Sequence, residues 1–314
     1  MAWDDNLTGA ARDIASSSAN RLRVMAGPGT GKSFALKRRV ARLLEEGIDP
    51  SHILVVTLTR NAAKELKKDL KNLNAPNCER VEVGTLHSFC MKVLFRNSVL
   101  TYLQRTPRLL MEFESKPLVQ DLVALGGFGK VRQGLKRIKA FEAAWARMQH
   151  EIPGWPQDQI DKRFHTEMID WLKFHQALRV GELVPLVLRY RKDNPEAVEL
   201  SAYDHVVVDE FQDLNKAEQQ LVALIANDAQ YAIVGDEDQS IYGFRYAHPE
   251  GIREFSAAHP GTQDVQLDEC RRCPKKIVKL ADALILHNHP RKNPHHTCRT
   301  CFLQVLREAC LSSL

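Results

Sequence analysis

Apolar residues recur along the chain in two rhythms. Short runs at residues 21–25, 52–57 (HILVVT), 81–84, 205–208, 231–234 and 265–267 have the length of strands. Most are continuous in Val, Ile and Leu, which is the pattern of strands covered on both faces, as in a parallel sheet. Between them lie segments with helical spacing. Residues 31–46 bring Phe34, Leu36, Val40 and Leu43 to one face, residues 61–73 form a lysine-rich amphipathic helix, and further helices start at His87 and span 216–226. From 97 to 195 the strand pattern stops, and helices are predicted at 117–125, 130–149, 157–178 and 182–191, parted by Gly and Pro. One α/β parallel-sheet domain, interrupted by an all-helical insertion, is the simplest account of this order. The basic stretch Lys130, Arg132, Lys136, Arg137 and Lys139 reads as a solvated helix face.

Composition narrows the class. With 314 residues, 44% hydrophobic and 26% charged, the chain can build one large or two modest domains and is neither disordered nor fibrous. Charge interrupts every apolar run well before the roughly 18 residues that a membrane span needs. The N-terminus, Met1 to Asp5, is acidic where a secretory signal is basic, so a cytoplasmic location and no membrane partner are expected. A net charge of +5 is compatible with a polyanionic partner without requiring one. Seven cysteines, an odd number, do not suit a secreted disulfide framework.

The chemistry is concentrated in Ala26-Gly27-Pro28-Gly29-Thr30-Gly31-Lys32-Ser33, placed directly after a strand and opening a helix. Glycines let backbone N–H groups turn toward phosphate oxygens, and the helix N-terminus adds partial positive charge. Lys32 is expected to reach the β- and γ-phosphates of ATP, and the Ser33 hydroxyl to ligate magnesium. Alanine replaces glycine at the first position of the pattern. Val206, Val207 and Val208 lead to Asp209 and Glu210, a pair of carboxylates at the end of a strand. Asp209 is expected to hold magnesium and Glu210 to activate the attacking water.

Further blocks carry a resemblance. Asp209-Glu210-Phe211-Gln212-Asp213 and Gly235-Asp236-Glu237-Asp238-Gln239-Ser240-Ile241-Tyr242-Gly243-Phe244-Arg245 resemble the DEFQD and GDxDQSIYxFRGA motifs of UvrD/Rep/PcrA-type superfamily-one helicases. Thr57 to Ala63 resembles their TFTNKAA, Gly84 to Cys90 their TFHSFC, and Leu267 to Cys273 their L-x-x-NYRS, all in the family's order over residues 7–287. The resemblance implies a P-loop NTPase (RecA-like) fold. Its first segment would be 1–96, the helical insertion 97–195 and the second segment 196–273; 274–314 would be the start of a second motor domain or an atypical tail. It implies an ATP-hydrolysing helicase acting 3′ to 5′ on single-stranded DNA or a junction, in settings such as DNA repair. Gln212 and Gln239 would sense the γ-phosphate, with Arg272 reaching it across the cleft. Thr59, Arg60, Thr85 and His87 would contact the DNA backbone. Tyr242, Phe244 and Arg245 would bind unpaired bases, since base stacking on aromatic and guanidinium faces is worth about 1–3 kcal/mol per base. Core packing is the other reading of Tyr242 and Phe244. The second reading of the whole chain is a catalytically weak nucleotide- or DNA-binding module that serves a partner protein.

The sequence departs from the family in several places. Leu58 and Leu86 replace phenylalanines in two DNA-facing motifs, and Tyr246 replaces the glycine after Phe244-Arg245; leucine cannot stack, so weaker or altered single-strand binding is one reading and tolerated variation the other. The chain stops soon after the Arg272 motif, so the isolated chain is expected to bind ATP–magnesium, hydrolyse it slowly and not unwind duplexes. Cys270-x-x-Cys273 and Cys298-x-x-Cys301 have zinc-ligand form, with His289, His295 and His296 as alternative ligands. A structural zinc is not expected, because the first pair overlies the Arg272 motif and a helix starting at Pro274 would hold the pairs apart.

Ala11 stands where the family has the glutamine that reads adenine, and Arg271 where it has the stacking tyrosine. Guanidinium stacks on any base, but the hydrogen-bonding amide is gone. Calorimetric titration with ATP and with GTP is therefore expected to give similar affinities; strong selectivity for ATP would contradict this reading.

Overall fold

The computed structural model describes residues 3–106, 108–197 and 203–286. Its main sheet uses β1 (Arg21–Ala26), β2 (Ile53–Val56), β3 (Glu82–Gly84), β6 (His205–Val208), β7 (Gln230–Gly235) and β8 (Gln263–Leu267); β4 (Arg108–Leu109) and β5 (Ala177–Leu178) form a separate ladder. The helices are α1 (Gly9–Ser16), α2 (Lys32–Glu45), α3 (Arg60–Asn72), α4 (Leu86–Leu94), α5 (Asn97–Leu103), α6 (Ser115–Ala124), α7 (Val131–Ala146), α8 (Gln159–Phe174), α9 (Leu183–Asp193), α10 (Lys216–Ile225), α11 (Glu250–Ala258) and α12 (Lys275–Leu286). The six-stranded sheet runs β3-β2-β6-β7-β1-β8 and every pairing is parallel. This is the α/β sheet that the unbroken aliphatic runs predict.

Alternation along the strands explains why those runs are unbroken. Leu22, Val24, Val55, Val207, Ala232 and Val234 point to one face and share a core with α1, α2 and α3. Their neighbours Met25, Leu54, Val56, Val206, Val208 and Ile233 point the other way and are buried too. On that second face, Tyr231 meets the Phe255 ring of α11 at 5.3 Å, and the buried Arg23 guanidinium donates to the carbonyls of Ile252 and Arg253. Both faces are covered, so the central strands are almost wholly apolar, with the Tyr231 hydroxyl and His205 Nδ1 buried there without a hydrogen-bond partner. Each buried aliphatic side chain contributes roughly 1.5–3 kcal/mol through removal from water.

The chain separates into two compact units. Among the described residues, one comprises 3–85, 203–214 and 225–286; the other comprises 86–106, 108–197 and 215–224. In the second unit Leu118, Phe128, Ile138, Phe141, Trp145, Phe164, Met168 and Leu172 form the core. Lys130, Arg132, Lys136 and Lys139 of the basic stretch are exposed as expected, and the half-buried Arg137 pairs with Asp161 at 2.7 Å. Two features differ from the sequence reading. The helix expected over 157–178 ends at Phe174, and Gln176 takes a left-handed backbone (φ 49°) that an α-helix cannot continue through. Ala177 and Leu178 are thereby released to pair in parallel with Arg108 and Leu109, so a short ladder accompanies the helices of the insertion. Beneath it Arg105 and Glu182 form a buried ion pair at 2.7 Å; Arg105 also donates to the Ala177 carbonyl, and Glu182 accepts from the Arg179 N–H. Those extra hydrogen bonds offset the desolvation of both charges.

Gly134, inside α7, lies close against α6 and α8. A Cβ there would stand 2.4 Å from Val119 Cγ1 and 3.3 Å from the Phe164 ring. Alanine gains about 0.8–1.0 kcal/mol of helix propensity over glycine, but overpacking a tight core costs about 1–3 kcal/mol. Gly134→Ala is therefore expected to lower the chemical denaturation midpoint, whereas a raised midpoint would show that propensity wins.

Candidate active site

Because all six strands are parallel, their C-terminal ends share one edge of the sheet, where ligands of open α/β sheets bind. The candidate residues of the first unit lie just beyond those ends. The phosphate loop and Lys32 follow β1, and Thr59 and Arg60 follow β2. Thr85 follows β3, Asp209 and Glu210 follow β6, Asp236 and Gln239 follow β7, and Arg271 and Arg272 follow β8.

The phosphate loop is the turn between β1 and α2. Ala26, the alanine in the glycine position, is the last residue of β1 and is buried in the core, so its methyl group points away from the loop's task. Gly27 and Thr30 close the turn internally, with the Thr30 hydroxyl donating to the Gly27 carbonyl at 2.8 Å. Gly29 has φ +72° and lies against the segment after β8: a Cβ there would be 2.7 Å from Arg272 Cβ, and its carbonyl accepts from the Arg271 N–H at 2.9 Å. Only glycine meets both conditions. Pro28 and Gly31 complete the turn, Lys32 is the first residue of α2, and Ser33 follows it, exposed. The N–H groups of that first helical turn have no intrahelical acceptor and are available to an anion.

Lys32 is buried, and its ammonium bonds Glu210 Oε2 at 2.9 Å. Glu210 sits in the left-handed region (φ 53°), an unfavourable conformation for glutamate that turns its carboxylate back toward the loop. The same Oε2 accepts from Gln212 Nε2 at 2.9 Å. Gln212 is buried, and its Oε1 accepts from the Asp236 N–H at 3.1 Å. Asp236, also buried, accepts from Gln239 Nε2 at 2.8 Å. Gly235 makes room for this chain: a Cβ there would stand within 2.2 Å of Gln212 Oε1. A continuous hydrogen-bonded series thus runs Lys32–Glu210–Gln212–Asp236–Gln239.

Charge is unbalanced around it. Burial first, and then the neighbouring Glu210, push the Asp209 carboxyl up to about 6, and the same two causes push Asp213 up to about 6. The Lys32 ammonium opposes both shifts. Asp213 Oδ1 is buried with no hydrogen-bond partner. Three carboxylates beside one ammonium, with a hydroxyl at Ser33, are hard oxygen donors that suit a magnesium ion. No cluster of three or more His, Cys, Asp or Glu side chains arranged to cage a metal occurs among the described residues. Magnesium does not need one, since it is commonly held by one or two carboxylates together with substrate phosphates.

The segment after Gln239 leaves the relay for solvent. Phe244 is 75% and Ile241 74% exposed, which removes core packing as a reading of Phe244. Tyr242 is half-buried; its ring centroid lies 5.7 Å from that of Phe244, with the Arg245 guanidinium 5.8 Å from it. Tyr246 adopts a left-handed backbone (φ 64°), which explains physically why glycine suits the matching family position. The Arg245 charge also reaches Asp213, where it lowers the carboxyl against the larger effect of burial.

Other candidates are placed less centrally. Thr59 caps α3, accepting from the Ala62 N–H at 3.1 Å, and Arg60 is exposed beside it. Thr85 is half-buried at the end of the first unit. His87 belongs to the second unit and lies 3.4 Å from Glu218. Arg272 is exposed, and Arg271 is exposed with its guanidinium on Glu269. Ala11 packs against the core. Leu86 corrects an expectation: it is buried at 2% exposure, so it is a packing residue of its unit and its change from phenylalanine removes no stacking surface. Cys298, Cys301, His289, His295 and His296 lie outside the described residues. Two residues escaped the sequence reading as site residues, Asp213 and Asp236. Both stand inside the quoted blocks, but their burial, which gives them their roles, is a property of the fold.

Among the described residues no helix is long and apolar enough to cross a membrane. The UvrD/REP helicase N-terminal domain family matches residues 7–260. The ATP-dependent DNA helicase PcrA of Staphylococcus epidermidis is 30% identical over 285 residues, covering 86% of this chain. PcrA of Staphylococcus aureus is 28% identical over the same length. The chain spans 38% of the length of these relatives. On the extent of that match, the chain belongs to the UvrD/REP helicase N-terminal domain family.

Proposed function

We propose that this chain is the first motor domain of a cytoplasmic ATP-dependent DNA helicase or translocase, binding ATP with magnesium at the phosphate loop and single-stranded DNA at the 241–245 loop. The observation that carries the reading is the relay from Lys32 through Glu210, Gln212 and Asp236 to Gln239. It joins the side chain suited to a γ-phosphate to the base of a loop that presents Tyr242, Phe244 and Arg245 to solvent. A change in the phosphates bound at Lys32 would alter the bonds of Glu210, and through Gln212 the loop.

The roles follow from the groups present. Lys32 and the N–H groups opening α2 would hold the β- and γ-phosphates. Ser33 and Asp209 would hold magnesium, which when bound neutralises charge on the phosphate oxygens. Once Lys32 shares its proton donors with phosphate, the Glu210 carboxylate can accept a proton from the attacking water. Arg272, against Gly29, would meet the phosphates from the other side, and Arg271 would leave Glu269 to cover the base. Thr59, Arg60, Thr85 and His87 would contact the DNA backbone. Unwinding with 3′-to-5′ polarity would belong to the complete helicase, acting with a second motor domain or a partner protein.

A second reading, a catalytically weak nucleotide- or DNA-binding module, is favoured by one observation: Lys32 and Glu210 are already satisfied by each other. Steady-state ATPase with and without single-stranded DNA, on wild type and Glu210→Gln, separates the two. The motor reading expects stimulation of wild type by DNA and a loss of about 10²–10⁴-fold in turnover in the variant, with ATP binding retained. Turnover that ignores both DNA and the substitution would leave the binding module.

A further inference from the structure

The segment that leans on the phosphate loop carries two thiols the proposed chemistry does not use. Cys270 is buried and Cys273 half-buried, both reduced, and their side chains hydrogen-bond each other. They pack with Val278, Ala281 and Ile285 of α12. Between them stand Arg271, whose N–H bonds the Gly29 carbonyl, and Arg272, whose Cβ lies over Gly29. Cys270 Sγ itself stands 3.2 Å from where a Cβ on Gly29 would be. The matching family motif has Asn and Ser at these two positions, and neither can be oxidised.

We propose that Cys270 and Cys273 are a covalent modification site, converted by a small-molecule disulfide into an intramolecular disulfide that displaces Arg271 and Arg272 from Gly29 and weakens nucleotide binding. The inference rests on the phosphate-site reading above. Cys273, the more accessible thiol, loses its proton to solvent and attacks one sulfur of the small disulfide; that S–S bond breaks and the first small thiolate leaves and is protonated. Cys270, deprotonated in turn, attacks Cys273 Sγ in the mixed disulfide, forms the Sγ–Sγ bond and expels the second small thiol. Two electrons pass from the protein sulfurs to the reagent, and two small thiols are the product.

Geometry supplies the consequence. A disulfide holds its sulfurs at about 2.03–2.05 Å and fixes the dihedral between them, much closer than hydrogen-bonded thiols. The ring it closes contains only residues 270–273, so the contraction falls on the two residues that touch Gly29. Burial and the neighbouring Cys270 raise the Cys273 thiol above its ordinary range, so exchange is expected to quicken as pH rises. Disulfides in reducing compartments are typically transient and redox-sensing.

The full chain is treated with glutathione disulfide, the bond is mapped by peptide mass spectrometry, and ATP–magnesium affinity is measured before oxidation, after it, and after dithiothreitol. The expected result is a Cys270–Cys273 disulfide and affinity weakened about ten- to a hundredfold, equivalent to losing one charge-assisted hydrogen bond, with recovery on reduction. Cys273→Ser is expected to bind like the reduced wild type and to ignore the reagent. The inference is overturned if that disulfide does not form, if it forms with affinity unchanged, or if Cys273→Ser loses affinity under the same treatment. Failure of the reduced wild type to bind ATP would instead overturn the phosphate-site reading, and the inference with it.

Discussion

The arrangement depends on one ion pair, between the buried Lys32 and the half-buried Glu210. Lys32 opens α2, where on the proposed reading it meets a phosphate; there it is removed from water, and an unpaired buried ammonium would lose its charge or destabilise the fold. Glu210 supplies the counter-charge at 2.9 Å, and it does so only by adopting a left-handed backbone after β6. That choice places Glu210 where Gln212 can share its oxygen, and Gln212 reaches Asp236 only because residue 235 lacks a side chain. Each member therefore constrains the next, and the arrangement is held in shape by charge compensation.

The price of this compensation falls on the remaining carboxylates. Asp209 and Asp213 are left beside Glu210 with one ammonium among three acids, and both are pushed up to about 6. A divalent cation would relieve that excess, which links phosphate and metal binding through electrostatics alone. The same field extends outward, since the Arg245 guanidinium acts on Asp213. The exposed aromatic loop and the Lys32–Glu210 pair are joined both by hydrogen bonds and by charge.

Much of this was legible in the sequence, for physical reasons. Strands buried on both faces must be continuously aliphatic, so 52–57, 205–208 and 231–234 announced a parallel sheet, and a parallel sheet gathers the residues after its strands on one edge. What the pattern could not show was burial at single polar positions. Asp236 reads as one acid among several in an acidic block, and only the fold makes it the acceptor for Gln239. Leu86 reads as a lost stacking residue but is core. The end of α8 at Phe174 hangs on the backbone of Gln176, a residue type without a marked preference for that conformation, while the apolar Ala177 and Leu178 extended the helical period past it.

On the proposed reading, Lys32 belongs to a phosphate site and a bound phosphate competes with Glu210 for its ammonium. The most direct measurement is calorimetric titration of ATP–magnesium into wild type and Lys32→Met, with circular dichroism to confirm the fold. The account predicts an unchanged spectrum and affinity reduced about a hundredfold or more, the loss of charge-assisted bonds from one ammonium. Near wild-type affinity in a folded Lys32→Met protein would contradict it.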